Sequence, residues 1–408
     1  MFFATKTYAF DTSNNKDYLS LLSSTSLNGN LSLGYDYSFS LSDIQNGKVN
    51  KLSNSYLGLD NRFNSSIYIN NADISLSSTF LKLLSVNFST SLVSREFIDE
   101  PLVNYQSYQD FKIFLDNRKK NIATVWQRYG IIKDLNIAIK DPNVDGSLII
   151  GQQLIPFGYT DKNKTLNMPI TSNPIITPMI EYINYNLLSS TDTPYQNSSL
   201  TNVRDVGVTL TGTYSFFRFM TGTYNGSGSN TFDDNNQKDI FGRFDLIAPE
   251  LGEIGISHWR GRHISYKSIY TENAERNEFE MYKTGIHSKL GDDNLYLLGE
   301  FVLSNDRYLN DTKIDQYAWY ITGGGNLWSI FDLTLRFESF YDNNVLKVKS
   351  DLTNYNIKRL VAGFQESLSK NINLKQEYTH TWEDVSSNST NKVQSNYGIF
   401  SANLIFSF

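Results

Sequence analysis

Charged side chains lie inside several alternating apolar runs of this sequence, spaced two residues apart. Arg243 and Asp245 stand in "FGRFDLI", and Arg336 and Glu338 stand in "LTLRFESF". Successive side chains of a β-strand point to opposite faces, so the members of each pair share one face and the apolar residues share the other. A strand of this kind fits between water and an apolar phase, where its charges can pair, order water or attract ions.

Treating the apolar face of each predicted strand as lipid-facing assigns the charges to a water-filled interior. The predicted pore-lining residues are Lys140, Arg218, Arg243, Lys283, Arg336, Arg359, Lys375, Asp245, Glu300 and Glu338, and Asp36, Asp332 and Glu377 fall on the same side. A lumen of mixed sign creates a transverse field that favours small polar solutes over apolar ones. Two interpretations stay open for each residue: an ion pair along or across strands, contributing at most about 1 kcal/mol, or a direct part in conductance.

The other reactive residue types form no catalytic or metal-binding pattern. The four histidines are dispersed, no H-E-x-x-H or G-x-S-x-G motif surrounds them, and the chain has no cysteine. His258 and His263 could meet at one loop mouth, but surface histidines without a metal are far commoner. "GSGS" at 226–229 lacks the lysine of a phosphate-binding loop, and "DDNNQKD" at 233–239 lacks the glutamate of a calcium loop. We therefore predict a protein that is not an enzyme and needs neither cofactor nor metal.

The composition favours strands over helices. Tyr and Phe number 26 each, methionine occurs only 5 times, and Ser, Asn, Thr and Gly are abundant. The sequence contains no run of about 18 apolar residues, which a membrane-spanning helix would need. The net charge of -6 is spread along the chain without a basic block, so nucleic-acid binding has no support.

The elements that must position the charges are long alternating strands. In "LSLGYDYSFSL", residues 31–41, every second residue from Leu31 to Leu41 is apolar. Many such runs reach about ten residues, enough to cross a bilayer at a tilt, whereas strands of soluble sandwiches and propellers average about five or six. Short connections such as "APEL" alternate with long ones such as "GSGSNTFDDNNQ". This rhythm predicts an all-β fold, a transmembrane antiparallel up-and-down barrel of about 16 strands, with 18 as the alternative.

Aromatic residues at the ends of these runs predict interfacial girdles, where amphipathic rings sit between headgroups and hydrocarbon. They are Tyr214, Phe216, Trp259, Tyr296, Trp319, Tyr320, Trp328, Tyr341 and Trp382.

The two ends of the chain carry different signals. The final stretch, "NYGIFSANLIFSF", alternates and ends on Phe408. In a closed barrel it would pair with the first strand, near Leu31 to Leu41, and leave no open edge. At the other end, "MFFATKTYAF" suggests that residues 1–9 are the remnant of a signal peptide before a single barrel domain over 10–408, and a disordered terminus is the alternative.

Three motifs in the middle of the chain carry a resemblance to a known family. "GQQLIPFG" at 151–158 is followed by "RDVGVTLTG" from Arg204 and by "YNGSGSNTFDDNNQKDIFGRFDL" from Tyr224. Over about residues 145–250 this order resembles the phosphate-selective porin O and P family of Gram-negative bacteria. The resemblance implies a trimeric porin of about 16 strands in the bacterial outer membrane, with passive diffusion of small solutes and a preference for anions or phosphate.

The same resemblance implies that residues 159–203 fold into the lumen as a constriction loop. The charged residues of this segment include Asp161, Lys162, Lys164 and Glu181, and it contains no arginine. Phosphate-selective members of the family line their pathway with arginines and lysines from this loop and the wall, so the mixed charge here departs from their pattern. Resemblance to outer-membrane barrels in general implies that the assembly machinery reads the last strand, with Phe408 as the assembly signal.

Two functional hypotheses follow from these observations. The first is an outer-membrane porin that forms a water-filled channel for passive diffusion of small polar solutes and ions. The second is a structural or surface-interaction barrel, such as an adhesin or array component, with a closed lumen. The expected partners are outer-membrane lipid and lipopolysaccharide, two further copies of the chain in a homotrimer, the barrel assembly machinery and small anions or polar solutes in transit.

Overall fold

The computed structural model describes most of the chain in fourteen ranges. These are residues 22–45, 48–50, 64–81, 83–96, 126–141, 145–159, 204–226, 237–266, 276–292, 294–308, 313–327, 331–342, 352–387 and 392–408. Within these ranges nearly every residue belongs to a β-strand. The described residues include no helix of the length and apolarity needed to cross a membrane.

The described residues form seventeen strands. They are β1 (Leu22–Gln45), β2 (Lys48–Asn50), β3 (Asn64–Phe80), β4 (Leu84–Glu96), β5 (Trp126–Asp141), β6 (Asp145–Leu154), β7 (Arg204–Tyr214), β8 (Phe217–Tyr224), β9 (Asp239–Ala248), β10 (Gly252–Tyr266), β11 (Arg276–Gly291), β12 (Leu295–Tyr308), β13 (Lys313–Leu327), β14 (Phe331–Asp342), β15 (Leu352–Ser369), β16 (Ile372–Ser387) and β17 (Lys392–Ser407).

The strands close into a barrel. From β3 to β17 each strand pairs antiparallel with the next, β1 pairs with both β3 and β17, and the short β2 pairs with the end of β1. Sixteen long strands therefore form the wall, which confirms the first of the two predicted counts. The predicted pairing of the last strand with the first is also confirmed, because Leu31 lies opposite Phe406 and Tyr35 lies opposite Ala402.

The two faces of the wall differ in polarity. On β9 the exposed side chains of Ile240, Phe244 and Leu246 point outward, while Asp245 is buried on the inner face. The same alternation runs round the barrel, with exposed leucine, isoleucine and phenylalanine outside and charged or hydroxyl side chains inside. A closed strand ladder satisfies every backbone polar group within the wall, so an apolar outer face can meet lipid. These features place the protein in a bacterial outer membrane.

The two ends of the barrel are built differently. Connections of only two or three residues join the strands at one end, between β3 and β4, β5 and β6, β7 and β8, β9 and β10, β11 and β12, β13 and β14, and β15 and β16, and the longer connections leave from the other end. In the turn at 291–295, the Asp292 carboxylate accepts hydrogen bonds from the backbone N–H groups of Asn294 (2.9 Å) and Leu295 (3.1 Å), which lowers the pKa of Asp292. In outer-membrane barrels the short turns face the periplasm.

The predicted aromatic girdles are correct only in part. Tyr214 and Phe216 are exposed at the short-turn end, and Trp382 is exposed toward the other end. Trp259 and Tyr320, by contrast, are 0% and 2% exposed and point into the barrel.

Tyr296 also points inward, with its hydroxyl 2.8 Å from the Thr334 hydroxyl. The prediction was wrong for Trp259, Tyr296 and Tyr320 because a displacement of one residue along a strand moves a side chain to the opposite face. Trp319 lies on the outer face, packed against Phe337, and Tyr341 stacks on Tyr317 there. Trp328 lies outside the described residues.

Candidate functional site in the barrel lumen

A row of side chains on the inner face crosses eight neighbouring strands, from β8 to β15. Each member is the direct cross-strand partner of the next. The members of this lumen row, in order, are Arg218, Asp245, Gly255, His287, Glu300, Tyr320, Glu338 and Arg359. Alternation along single strands predicts the inner face of several of these residues, but only the register brings them to one level.

Asp245 is the centre of the first cluster in the lumen row. Arg218 donates from Nε to Asp245 Oδ2 (2.8 Å) and from Nη2 to Glu253 Oε2 (2.9 Å). Arg243, two residues before Asp245 on β9, donates from Nε to Asp245 Oδ1 at 2.8 Å. Arg243 and Asp245 thus form the along-strand pair that the sequence offered as one interpretation. The Asp245 side chain is fully buried.

His287 completes the Asp245 cluster from two strands away. Its Nε2 lies 3.0 Å from Asp245 Oδ1, although β10 runs between the two residues. Gly255 is the member of the lumen row on β10, and a Cβ there would overlap both the Asp245 carboxylate and the His287 ring. The glycine therefore leaves the space in which carboxylate and imidazole meet. His287 was not among the residues predicted from the sequence, where its only signal is its place on the same face of β11 as Lys283.

Residues 155–159, which follow β6, lie inside the barrel. Gly158 N–H donates to Ser257 Oγ at 3.0 Å, and Tyr159 N–H donates to Glu300 Oε1 at 3.1 Å. Arg243 Nη1 donates to the Gly158 carbonyl oxygen. Two strands, β7 and β8, separate β6 from β9, so these contacts with inner-face residues of β9, β10 and β12 require a path along the inner wall. Residues 155–159, here called the docked segment, are the described part of this path.

The Phe-Gly pair of the docked segment fits the wall closely. Gly158 has a φ of 65°, a left-handed conformation that favours glycine, and a Cβ at this position would overlap the Glu300 carboxylate. Phe157 is buried, and its ring centroid lies 6.3 Å from that of Trp259. Tyr159 lies with its ring centroid 5.8 Å from the His287 ring. The docked segment therefore connects directly to the Asp245 cluster.

A second charged cluster surrounds Glu338. Arg336 Nε lies 3.2 Å from Glu338 Oε2, and Arg359 Nε on β15 lies 2.9 Å from Glu338 Oε1. One carboxylate is thus shared by two guanidinium groups, and the Glu338 side chain is fully buried.

The remaining sequence-predicted residues are distributed around this wall. Lys283 is buried with its Nζ 5.2 Å from the Trp259 ring centroid, and Lys375 is buried near Glu377 on β16. Lys140 is exposed at the short-turn end of β5. The predicted loop residues Asp161, Lys162, Lys164 and Glu181 lie outside the described residues.

The "RDVGV" and "YNG" motifs tie strand ends together. Asp205 Oδ2 accepts a hydrogen bond from Gly226 N–H at 2.6 Å, which fixes the end of β8 against the start of β7. Arg204 donates from Nε to Asp134 Oδ1 on β5 at 3.0 Å. Arg204 and Asp205 are buried, and their contacts explain the motif as support for the wall beside the docked segment.

Sixteen antiparallel strands, an apolar outer face and a charged inner face define an outer-membrane β-barrel. No protein-family model and no curated protein sequence matches the chain. Several solved structures share its fold. In vitro folded OmpT, an outer membrane protein of Vibrio cholerae, is 9% identical, with a TM-score of 0.55 over 95% of this chain and 99% of that chain.

Two further neighbours are channels by their descriptions. An anion-selective porin from Comamonas acidovorans is 9% identical, with a TM-score of 0.54 over 94% of this chain and 99% of that chain. The outer membrane channel DcaP of Acinetobacter baumannii is 11% identical, with a TM-score of 0.54 over 94% of this chain and 97% of that chain. Identities this low show a shared fold alone.

Proposed function

We propose that this protein is a porin: a water-filled channel, not an enzyme, through which small polar solutes and ions cross the outer membrane by diffusion. The observation that carries the proposal is the charged lumen row beside the docked segment, because a wall of sixteen long strands is wide enough for an aqueous channel and its inner face carries charges that can interact with ions. The docked segment overlaps the start of residues 159–203, which we propose as the constriction loop.

The charges near the lumen row support weak selectivity with a modest preference for anions. In the Asp245 cluster, Arg218 and Arg243 face the two acids Asp245 and Glu253, so their charges balance. In the Glu338 cluster, the guanidinium groups of Arg336 and Arg359 both lie within ion-pair distance of the Glu338 carboxylate. Phosphate preference belongs to the same proposal, and it rests on the family resemblance of the three motifs.

We further propose a homotrimer that is inserted by the barrel assembly machinery. One neighbouring structure, OmpT of Vibrio cholerae, is described in a trimer form. The exposed apolar outer face of this barrel offers the surface that a neighbouring copy would cover in the membrane.

The competing function is a barrel with a closed lumen that serves structure or surface interaction. One observation favours it: Arg336, Glu338, Lys375 and Glu377 are nearly or fully buried although they point inward.

Planar-bilayer recording separates the two functions. The full-length protein, purified from outer membranes and reconstituted, is expected to open stable channels, and a non-conducting protein would support the closed barrel instead. A reversal potential measured in a potassium chloride gradient, followed by addition of phosphate, then tests ion preference. We expect the reversal potential to lie slightly toward the equilibrium potential of chloride. A reversal potential near that of potassium would contradict the proposed preference.

A further inference from the structure

A second row of polar side chains crosses the inner face near the short-turn end of the barrel, on the five neighbouring strands from β13 to β17. Each member is the direct cross-strand partner of the next. Directly opposite side chains of antiparallel strands have Cβ atoms about 5 Å apart, so neighbouring members can contact one ligand together. The members of this amide row, in order, are Asn326, Asp332, Gln365, Lys375 and Asn403.

Three oxygen atoms in and beside the amide row have no hydrogen-bond partner among the described residues. They are Gln365 Oε1, Asn403 Oδ1 and Ser32 Oγ, and their side chains are 9%, 2% and 3% exposed. Ser32 lies on β1, two residues before the cross-strand partner of Asn403, and therefore on the same face. A buried oxygen that makes no hydrogen bond is costly, so native proteins pair such atoms with protein, water or a ligand. The three oxygens therefore indicate a polar molecule bound at this place.

Lys375 lies between the two buried amides. It is the cross-strand partner of both Gln365 and Asn403, and its side chain is 2% exposed. The carboxylates of Glu377 and Asp332 both attract its ammonium group. These acids offset the positive charge of Lys375, so the amide row has no excess of positive charge with which to hold an anion.

The hydrogen-bonding groups of the amide row fit a molecule that carries several hydroxyl groups. A hydroxyl group both donates and accepts, so one hydroxyl can pair with an amide oxygen while another accepts from the Lys375 ammonium. An inorganic anion supplies acceptors almost exclusively and would leave the amide oxygens of Gln365 and Asn403 unpaired. A metal cation would be repelled by Lys375.

The wall on the other side of β1 carries similar groups. Ser77 Oγ on β3 donates to Asn87 Oδ1 on β4 at 2.7 Å, and Asn87 Nδ2 donates to Asn136 Oδ1 on β5 at 3.0 Å. These residues lie near the short-turn ends of their strands, as the amide row does. Neutral hydroxyl and amide groups from β3 to β5 thus face the same end of the lumen and can contact further hydroxyls of a larger solute.

We propose that the amide row and Ser32 form a binding subsite for a neutral polyhydroxylated solute, a sugar or polyol, at the periplasmic end of the lumen. Gln365 and Asn403 accept hydrogen bonds from hydroxyl groups of the solute, and Lys375 donates to one of them. The subsite is separate from the lumen row, because Asp332 lies six residues before Glu338 on β14. The inference rests on the proposed function, since a solute reaches the inner face through an open lumen.

The test uses the full-length protein in detergent and the trisaccharide maltotriose as the probe. Isothermal titration calorimetry measures binding, and block of the ion current in planar bilayers measures binding inside an open channel. The comparison ligands are inorganic phosphate and a polyethylene glycol of similar mass, which has ether oxygens but hydroxyl groups only at its ends. The variant carries Gln365→Met and Asn403→Leu. The matched control is Asn87→Leu, which removes an inner-face amide outside the amide row.

We expect maltotriose to bind the unmodified protein and the control equally, and the double variant about tenfold more weakly because two hydrogen bonds are lost. Phosphate and the polyethylene glycol should bind the unmodified protein at least tenfold more weakly than maltotriose. The inference is overturned if maltotriose does not bind, if the double variant binds it as tightly, or if either comparison ligand binds as tightly as maltotriose. Should the double variant fail to fold, Gln365→Met alone keeps the shape of the side chain, and we expect about a threefold loss.

Failure of the subsite and failure of the channel give different results. A protein that conducts but binds no maltotriose in calorimetry contradicts the subsite and leaves the proposed function intact. A protein that binds maltotriose through Gln365 and Asn403 but does not conduct contradicts the proposed function, while the subsite stands.

Discussion

At the scale of single residues, Asp245 and Gly255 depend on each other. A buried carboxylate is costly unless it is paired and hydrogen-bonded. Asp245 meets this requirement with Arg218, Arg243 and His287. The contact with His287 exists only because residue 255 has no side chain. Gly255 therefore makes room for one of the partners of the buried Asp245 carboxylate, the His287 ring.

Gly255→Ala should lower the stability of the barrel. Its methyl group would overlap the Asp245 carboxylate and the His287 ring, so we expect a loss of about 1 to 3 kcal/mol in the free energy of unfolding. Urea unfolding in detergent micelles, followed by tryptophan fluorescence, measures this loss. The matched control is Gly242→Ala on β9, where a new Cβ would have no atom within 4 Å. Equal destabilisation by both substitutions would refute the steric argument.

Glu338→Gln should shift ion selectivity toward anions. The substitution removes the carboxylate that Arg336 and Arg359 share and leaves two guanidinium groups with less compensation in the lumen. The reversal potential in a potassium chloride gradient should therefore move toward the chloride potential. Glu250→Gln makes the same chemical change at an exposed turn and should leave the reversal potential unchanged. A shift toward potassium in Glu338→Gln would be incompatible with Glu338 lining the pathway.

At the scale of elements, the docked segment depends on the register of strands that lie far from it in sequence. Ser257 on β10 and Glu300 on β12 accept hydrogen bonds from two consecutive N–H groups, those of Gly158 and Tyr159. Because a rigid wall presents both acceptors, a short piece of chain can be held with few side-chain contacts of its own. The wall strands thus determine where the docked segment lies.

Gly158→Ala should release the docked segment. A Cβ would overlap the Glu300 carboxylate, and alanine is disfavoured at a φ of 65°. If residues 159–203 narrow the pore, as proposed, the variant should show a higher and noisier single-channel conductance in planar bilayers. Ser257→Ala removes only one acceptor, and we expect a smaller change in the same direction, at a cost of about 1 kcal/mol. Unchanged conductance in Gly158→Ala would indicate that docking does not control pore width.

The strands themselves were the most predictable elements. Alternation over about ten residues identified β1, β9, β14 and β17 because the contrast between lipid and water acts on every residue of a wall strand. The aromatic girdles were harder to predict, because the position of a residue near the end of an alternating run does not show which face of the strand its side chain lies on. Trp259 on β10 is an example: it points inward, and its indole N–H donates to Asp239 at 2.9 Å.

At the scale of the whole molecule, the barrel closes where its first strand, β1, pairs with its last strand, β17. Phe408 N–H donates to the Gly29 carbonyl (3.0 Å), and Gly29 N–H donates to the Phe408 carbonyl (2.9 Å). The Phe408 ring occupies the space beside Gly29 where a Cβ would stand. The alternating final strand thus has no free edge, because β1 covers it on one side and β16 on the other.

Deletion of Phe408 should impair membrane insertion more than conductance. It removes two hydrogen bonds of the closing seam and the aromatic end of the last strand, but no inner-face charge. We expect a clear fall in the inserted fraction, measured by heat-modifiable gel migration of outer-membrane extracts, and normal channels from the molecules that do insert. Phe216→Ala, an exposed aromatic in a turn at the same end, serves as the control. Normal insertion of the deletion variant would argue against Phe408 as an assembly signal.

The sequence by itself determined the class of fold, limited the strand number to 16 or 18, and predicted the pairing of the last strand with the first and the inner face of Arg243, Asp245, Arg336 and Glu338. Each of these follows from polarity that alternates along one strand, which is a local property. Tertiary structure alone decided that His287 reaches Asp245 across Gly255, and that Ser257 and Glu300 hold the docked segment. Such contacts join residues far apart in the chain. They depend on strand register and on the space that a glycine leaves, and the alternation of polarity along one strand predicts neither.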